Sequence, residues 1–208
     1  MLSVTTLPAP DVLRRIRRLQ VLTVVWMSVE AIVALGAAWT ARSPALLGFG
    51  GDSLVELLSA IIVLWRFRSG SDSAEAERLA ARVAGGMLFV VAGFVIVSSV
   101  LSLLGYHEPQ SSAVGIVLLI VAAIGMPWLA QQKRKVATQI ASAALQADAT
   151  ESAVCGYLSL IALAGLSTNR IFHAPWADSV AALVLVPFIA KEAWQAIHAS
   201  RHCCSCSI

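Results

Sequence analysis

Gly50-Gly51-Asp52-Ser53-Leu54-Val55-Glu56-Leu57-Leu58-Ser59 lies inside an apolar run over about 48–67, and it carries two carboxylates where a purely structural apolar helix would carry none. Four residues is just over one helical turn, so Asp52 and Glu56 share a face about 6 Å apart along the axis. A charged carboxylate at the centre of a bilayer costs about 2.5–3.5 kcal/mol, so such a pair requires a water-filled cavity, a partner, a proton or a cation. Ser53 and Ser59 add polar character, and Gly50 and Gly51 permit close helix approach or local irregularity. A plainer reading stands beside this one: Asp52 caps the helix start and Glu56 snorkels.

The rest of the chain places that stretch in a membrane. Hydrophobic residues make up 58% of 208, charged residues 13%, and the mean hydropathy is +0.79. A soluble domain of this size leaves too much surface in water to hide so much apolar side chain. Apolar runs at about 20–40, 48–67, 83–104, 112–130, 142–165 and 178–197 each approach the ~20 residues of one span. The expected fold class is all-α, a polytopic bundle of six transmembrane helices over 20–197, with an N-terminal segment at 1–19 and a tail at 198–208. Residues 1–10 lack the basic start of a signal peptide, and 21–38 is too long for its apolar core, so the first run reads as a span.

Charge sets the orientation. With the N-terminus cytoplasmic, thirteen basic residues fall inside (Arg14, Arg15, Arg17, Arg18, Arg66, Arg68, Arg78, Arg82, Lys133, Arg134, Lys135, Lys191 and Arg201) and only Arg42 and Arg170 outside. That bias over short loops predicts both termini in the cytoplasm and a plasma (inner) membrane location. It also accounts for the pI of about 8.9 without nucleic acid, leaving the lipid bilayer as the basic residues' partner. No Ser, His and acid fall at one depth as a triad, and no glycine-rich phosphate loop is present, so the chain is expected not to be an enzyme. An ATP-driven pump would need a nucleotide domain for which 208 residues leave no room.

Six acidic residues, Glu30, Asp52, Glu56, Asp148, Glu151 and Asp178, lie in or at the ends of the spans, with no Lys or Arg expected at matching depth to neutralise them all. They point to a path for something positive. In Ala147-Asp148-Ala149-Thr150-Glu151-Ser152-Ala153-Val154-Cys155, the three-then-four spacing puts Asp148, Glu151 and Cys155 on one stripe. Asp52 and Glu56 from one helix with Glu151 and Cys155 from another make a near-tetrahedral oxygen and sulfur set suited to Zn²⁺; Mn²⁺, Fe²⁺ and Co²⁺ are the other cargoes considered. Asp148 reads either as part of that site or as its cytoplasmic entrance, and Cys155 alone reads equally as a small buried hydrophobe. Glu30 either lines the vestibule and assists proton transfer or bonds a neighbouring helix. Asp178, after Pro175-Trp176, reads as a mouth or helix-terminal group. Trp39, Trp65, Trp128, Trp176 and Tyr106 read as interfacial anchors. His198, His202, Cys203, Cys204 and Cys206 crowd the tail, where metal capture competes with S-palmitoylation and with an unstructured tail.

These motifs resemble the membrane part of the cation diffusion facilitator (cation efflux) family. Gly-x-Asp-Ser-x-x-Glu at Asp52 and Glu56 is similar to the family's second-helix pair, and Ala147-Asp148-Ala149 to its fifth-helix lead-in. Glu151 then stands where the family has His, and Cys155 where it has Asp. Trp176-Ala177-Asp178-Ser179 resembles the start of the sixth helix, and Lys133-Arg134-Lys135-Val136 the basic connector before the fifth. The resemblance runs from about Arg14 to Ala199. It implies a six-helix fold in which helices one, two, four and five pack together beside a pair made by three and six, and a proton-coupled exporter of divalent metals. The family's cytoplasmic ferredoxin-like domain is expected to be absent after residue 197, so the chain would form a homodimer through membrane helices, use a partner, or function without that control. The function read from the sequence is secondary export of a divalent metal, zinc first, in exchange for protons. A noncatalytic metal-binding or regulatory membrane protein is the alternative, and a channel is a weaker third.

Overall fold

Each apolar run becomes one helix in the structure, a computed structural model that describes residues 10–69, 74–140 and 143–199. The helices are α1 (Pro10–Ala41), α2 (Pro44–Ser69), α3 (Ala74–Leu103), α4 (Ala113–Gln139), α5 (Ala143–Phe172) and α6 (Trp176–Ala199), and the described residues include no strand. Among the described residues, α1 to α5 each contain a stretch long and apolar enough to cross a bilayer. α6 joins the bundle by packing on α3, α5 and α2. The chain is an all-α helical membrane bundle. The tail residues His202, Cys203, Cys204 and Cys206, residues 71–73 and the side chains of Trp65 and His198 lie outside the described residues.

The helix ends follow from local chemistry. Arg42 takes a left-handed φ of 50° and Ser43 N–H donates back to Ala38 O at 3.1 Å, closing α1 with a C-terminal Schellman bond. Ser43 then caps α2, its Oγ accepting from Leu46 N–H at 3.2 Å, and Pro44 occupies the first helical position, where its missing N–H costs nothing. Gly105 (φ 83°) ends α3 in the same way, Tyr106 N–H donating to Leu101 O. Ser112 caps α4 by accepting from Gly115 N–H at 3.1 Å.

Three hairpin connections meet at one end of the bundle. Gln110 N–H donates to Ala41 O at 2.8 Å, and Asn169 Nδ2 donates to Pro109 O at 2.9 Å. Asp178 does more than begin α6. It accepts from Ser43 Oγ at 2.8 Å and faces Ala45 N–H at 3.5 Å, setting a carboxylate against the positive end of α2. Of its two sequence readings, this contact fits the helix-terminal one.

The most extensive packings are α4 on α5, α1 on α2 and α3 on α6; α5 also packs on α6, α2 touches α3, α5 and α6, and α1 touches α4. That arrangement is the one the family resemblance implies. Helix contacts are lined with small residues, among them Ala34, Ala45, Ala122, Ala149, Ala162 and Ala182, which let backbones approach where lipid offers no hydrophobic drive. Val25, Ile32, Phe94, Val117 and Ile124 point outward, as do Trp39, Trp128, Trp176 and Tyr106.

α4 departs from the sequence reading. The run at 112–130 continues as helix to Gln139, so Lys133-Arg134-Lys135 is not a loop. The buried stripe Met126, Leu129, Ala130, Lys133, Val136 and Ala137 keeps helical period through the charges, turning Lys133 inward while Arg134 and Lys135 stay exposed.

The two glycines ahead of Asp52 serve close approach within unbroken helix. A Cβ on Gly50 would come 3.0 Å from Leu35 on α1, and one on Gly51 would collide with Val91 on α3. Gly51→Val is expected to lower stability by at least 1–3 kcal/mol through overpacking. Gly36→Ala, where a Cβ meets nothing within 4 Å, should leave it unchanged or higher. Thermal unfolding of the purified variants in detergent measures both; equal loss in the two would contradict this packing.

Candidate functional site

Polar side chains gather along one interior stripe of each central helix. On α1 the buried positions run Ile16, Leu19, Gln20, Thr23, Met27, Glu30, Ala34, a helical period with three polar members. α2 contributes Asp52, Ser53 and Glu56; α5 contributes Asp148, Ser152 and Cys155, all buried, with Glu151 partly so. The packing of α2 on α5 makes these stripes face each other.

They form two tiers. In the first, Lys133 Nζ on α4, with 0% of its side chain exposed, donates to Asp148 Oδ1 at 3.1 Å and Ser152 Oγ at 2.7 Å, and lies 3.8 Å from Glu56 Oε1. Ser152 passes its own hydroxyl proton to a hydrogen bond with Glu56, and Gln20 Nε2 donates to Asp148 Oδ2 at 2.6 Å. Both oxygens of Asp148 are thus engaged. Glu151 bonds Ser59 of α2. Lys133 therefore does lie at the depth of the carboxylates and offsets two of them, contrary to its reading as a cytoplasmic connector charge. Asp148 is held inside the protein.

The second tier centres on Glu30. Its Oε1 accepts from Ser53 Oγ at 2.8 Å and from Cys155 Sγ at 3.5 Å, and its Oε2 from Trp26 Nε1 at 2.6 Å. Of the two readings of Glu30, bonding to neighbouring helices is realised, and through Cys155 it also touches the expected ligand set. Glu192 of α6 is the carboxyl neighbour of Asp52.

The structure thus brings Glu56 beside Asp148 through Lys133 and Ser152, and Cys155 beside Glu30, with Asp52 beside Glu192. Among the described residues, no three His, Cys, Asp or Glu side chains converge tightly enough to hold a metal ion. Oε2 of Glu56 and Oε2 of Glu151 are buried without a hydrogen-bond partner among the described residues. A buried acceptor left unmet costs about 1–3 kcal/mol, more for a charged one, so both oxygens are poised to take a cation or a proton. A groove of about 870 Å³ lined by Leu35, Trp39, Arg42, Phe94 and His107 lies near the hairpin end and includes none of these groups.

Sequence reasoning missed Lys133, Gln20, Ser152 and Glu192. Lys133 and Glu192 each continue a small-residue stripe, Met126-Ala130-Lys133-Ala137 and Ala181-Leu185-Ile189-Glu192, and that period was the signal available.

Three donors on one buried carboxylate make Glu30 a stability determinant. Trp26→Phe is expected to cost about 1–3 kcal/mol in the intact chain and markedly less in a Glu30→Leu background, because the donor then has nothing to satisfy. Reversible unfolding of the four proteins of that cycle measures the difference; a coupling of zero would remove the bond from the account.

No curated protein matches the chain. The family model described as the cation efflux transmembrane domain matches residues 21–201, which take in most of α1, all of α2 to α6 and every carboxylate of the two tiers. The chain is an integral membrane protein that belongs to the cation efflux family of divalent-cation transporters.

Proposed function

We propose that the chain exports a divalent metal, Zn²⁺ by preference, from the cytoplasm in exchange for protons, with Asp52, Glu56, Glu151 and Cys155 as ligands and Asp148 beside them. The observation that carries this reading is the pair of buried, unpartnered oxygens, Glu56 Oε2 on α2 and Glu151 Oε2 on α5, on helices packed against each other. Three oxygens and one sulfur suit zinc better than Ca²⁺ or Mg²⁺, which take six or more oxygens. Mn²⁺, Fe²⁺ and Co²⁺ accept the oxygens but gain less from the thiolate.

Proton exchange follows from the same groups. Carboxyl and thiol groups bind metal only after giving up protons, so reprotonation on the far side releases the cargo. Glu192 gives Asp52, one of the proposed ligands, a second carboxyl as neighbour. The donors stand in two tiers, so loading requires α2 and α5 to shift and gather them, as alternating access does. Both termini lie in the cytoplasm of a cell whose plasma (inner) membrane holds the protein, and a homodimer forms through membrane helices.

Protein reconstituted in vesicles with an imposed gradient of one pH unit, about 1.4 kcal/mol per proton, should drive zinc flux that Asp52→Asn abolishes. Zinc bound without flux in correctly inserted protein would favour a regulatory binder, and flux indifferent to the gradient a channel. In a chain whose only added cysteine is at position 108 or 139, an impermeant thiol reagent should label 108 from outside and 139 from inside. Labelling of both from one side would refute the topology.

A further inference from the structure

Lys133 sits among the groups that would bind the cargo, and its bonds are uneven. Its ammonium makes hydrogen bonds to Asp148 and Ser152 at 3.1 and 2.7 Å, but stands 3.8 Å from Glu56 Oε1, close enough to act by charge and too far to bond. Asp148 is doubly held, by Lys133 and by Gln20, and Ser152 serves both Lys133 and Glu56. The second oxygen of Glu56 has no partner among the described residues. α4 contributes no carboxylate of its own, and the neighbouring Arg134 and Lys135 face outward. One basic side chain of this helix has therefore been turned into the interior, at the cost of desolvating an ammonium.

We infer that Lys133 is a tethered counter-cation: it occupies the field of Glu56 when no metal is bound, and yields to an incoming divalent cation by keeping only its Asp148 and Ser152 bonds. This deepens the metal-binding reading above and rests on it. A fixed positive charge beside one ligand weakens metal binding there, because the metal must share Glu56 with it at short range and low effective dielectric. It also relieves the carboxylate cluster while the transporter returns without cargo, when like charges would otherwise face each other across α2 and α5. Lys133 is thus a positioning and affinity-setting residue, and it need not touch the metal.

The test uses the full chain in detergent and Zn²⁺ itself as probe, by calorimetric titration, with folding checked by monodispersity and helical content. Lys133→Gln is expected to bind zinc at least tenfold more tightly than the parent, and Lys133→Arg within threefold of it. Lys133→Met, which keeps the stem volume, is a second neutral variant should the first fold poorly. The gain should vanish when Glu56→Gln is compared with Glu56→Gln/Lys133→Gln, since the charge acts through Glu56; a merely structural lysine would not produce that dependence. Equal or weaker binding in folded Lys133→Gln and Lys133→Met, or an undiminished gain without Glu56, overturns the proposal. Zinc binding that Glu56→Gln leaves untouched overturns the site reading and this proposal together, whereas binding that needs Glu56 but ignores Lys133 overturns this proposal alone.

Discussion

A charge buried among apolar helices has to be answered by another charge, a proton or a converging set of donors, and most of this protein's interior follows from that constraint. Glu30 collects an indole N–H, a hydroxyl and a thiol from three helices. Asp148 on α5 collects an amide from α1 and an ammonium from α4. These bonds fix which faces of α1, α2, α4 and α5 look inward. The alanine-rich contacts then supply the dispersion energy and close fit that hold the helices at that distance. Neither part is sufficient by itself. Without the small residues the donors could not reach, and without the donors the carboxylates would pull the stripes apart.

Such a network differs from an ordinary buried salt bridge in being incompletely satisfied. Replacing a fully paired buried ion pair by hydrophobic residues is often neutral or stabilising, so pairing alone gives little reason to keep it. Here, among the described residues, an oxygen on Glu56 and another on Glu151 remain unmet, which costs stability and serves no packing purpose. The cost makes physical sense if those oxygens work on something that comes and goes. A family whose members carry cations across membranes gives that something a class. The resident ammonium of Lys133 gives the carboxylates a partner between visits, which a transporter has to provide because its binding groups must return without cargo.

Much of this was legible in the sequence. The hydropathy runs locate the six helices, and the four-residue spacing of Asp52 and Glu56, with the stripe through Asp148, Glu151 and Cys155, picks out faces of α2 and α5 that turn inward. Boundaries were less so. α1 begins ten residues before its apolar run and α4 continues nine beyond its own, because a helix propagates through charged residues of good helical propensity as long as one face stays buried. The same fact hid Lys133, which sits between Gln132 and Arg134 in a basic run that positive-inside reasoning assigns to the cytoplasm. Glu192, adjacent to Lys191, drew no reading from the sequence, yet it continues the buried stripe of Leu185 and Ile189 and neighbours Asp52. In both cases the period of the stripe was the signal available. Which donors meet across helices, as Ser53 and Cys155 do at Glu30, depends on tertiary register that no spacing within one helix encodes.

The central claim is that the interior carboxylates and Cys155 together hold the metal. X-ray absorption at the zinc edge of the full chain loaded with one equivalent of Zn²⁺ measures that directly, because sulfur and oxygen scatter at separable distances. The expected shell is oxygen at about 2.0–2.2 Å with a single sulfur at about 2.3 Å, the sulfur disappearing in Cys155→Ala. A shell with two or more sulfurs would place the zinc on the cysteines of the tail, and a shell with sulfur that survives Cys155→Ala would contradict the interior site outright.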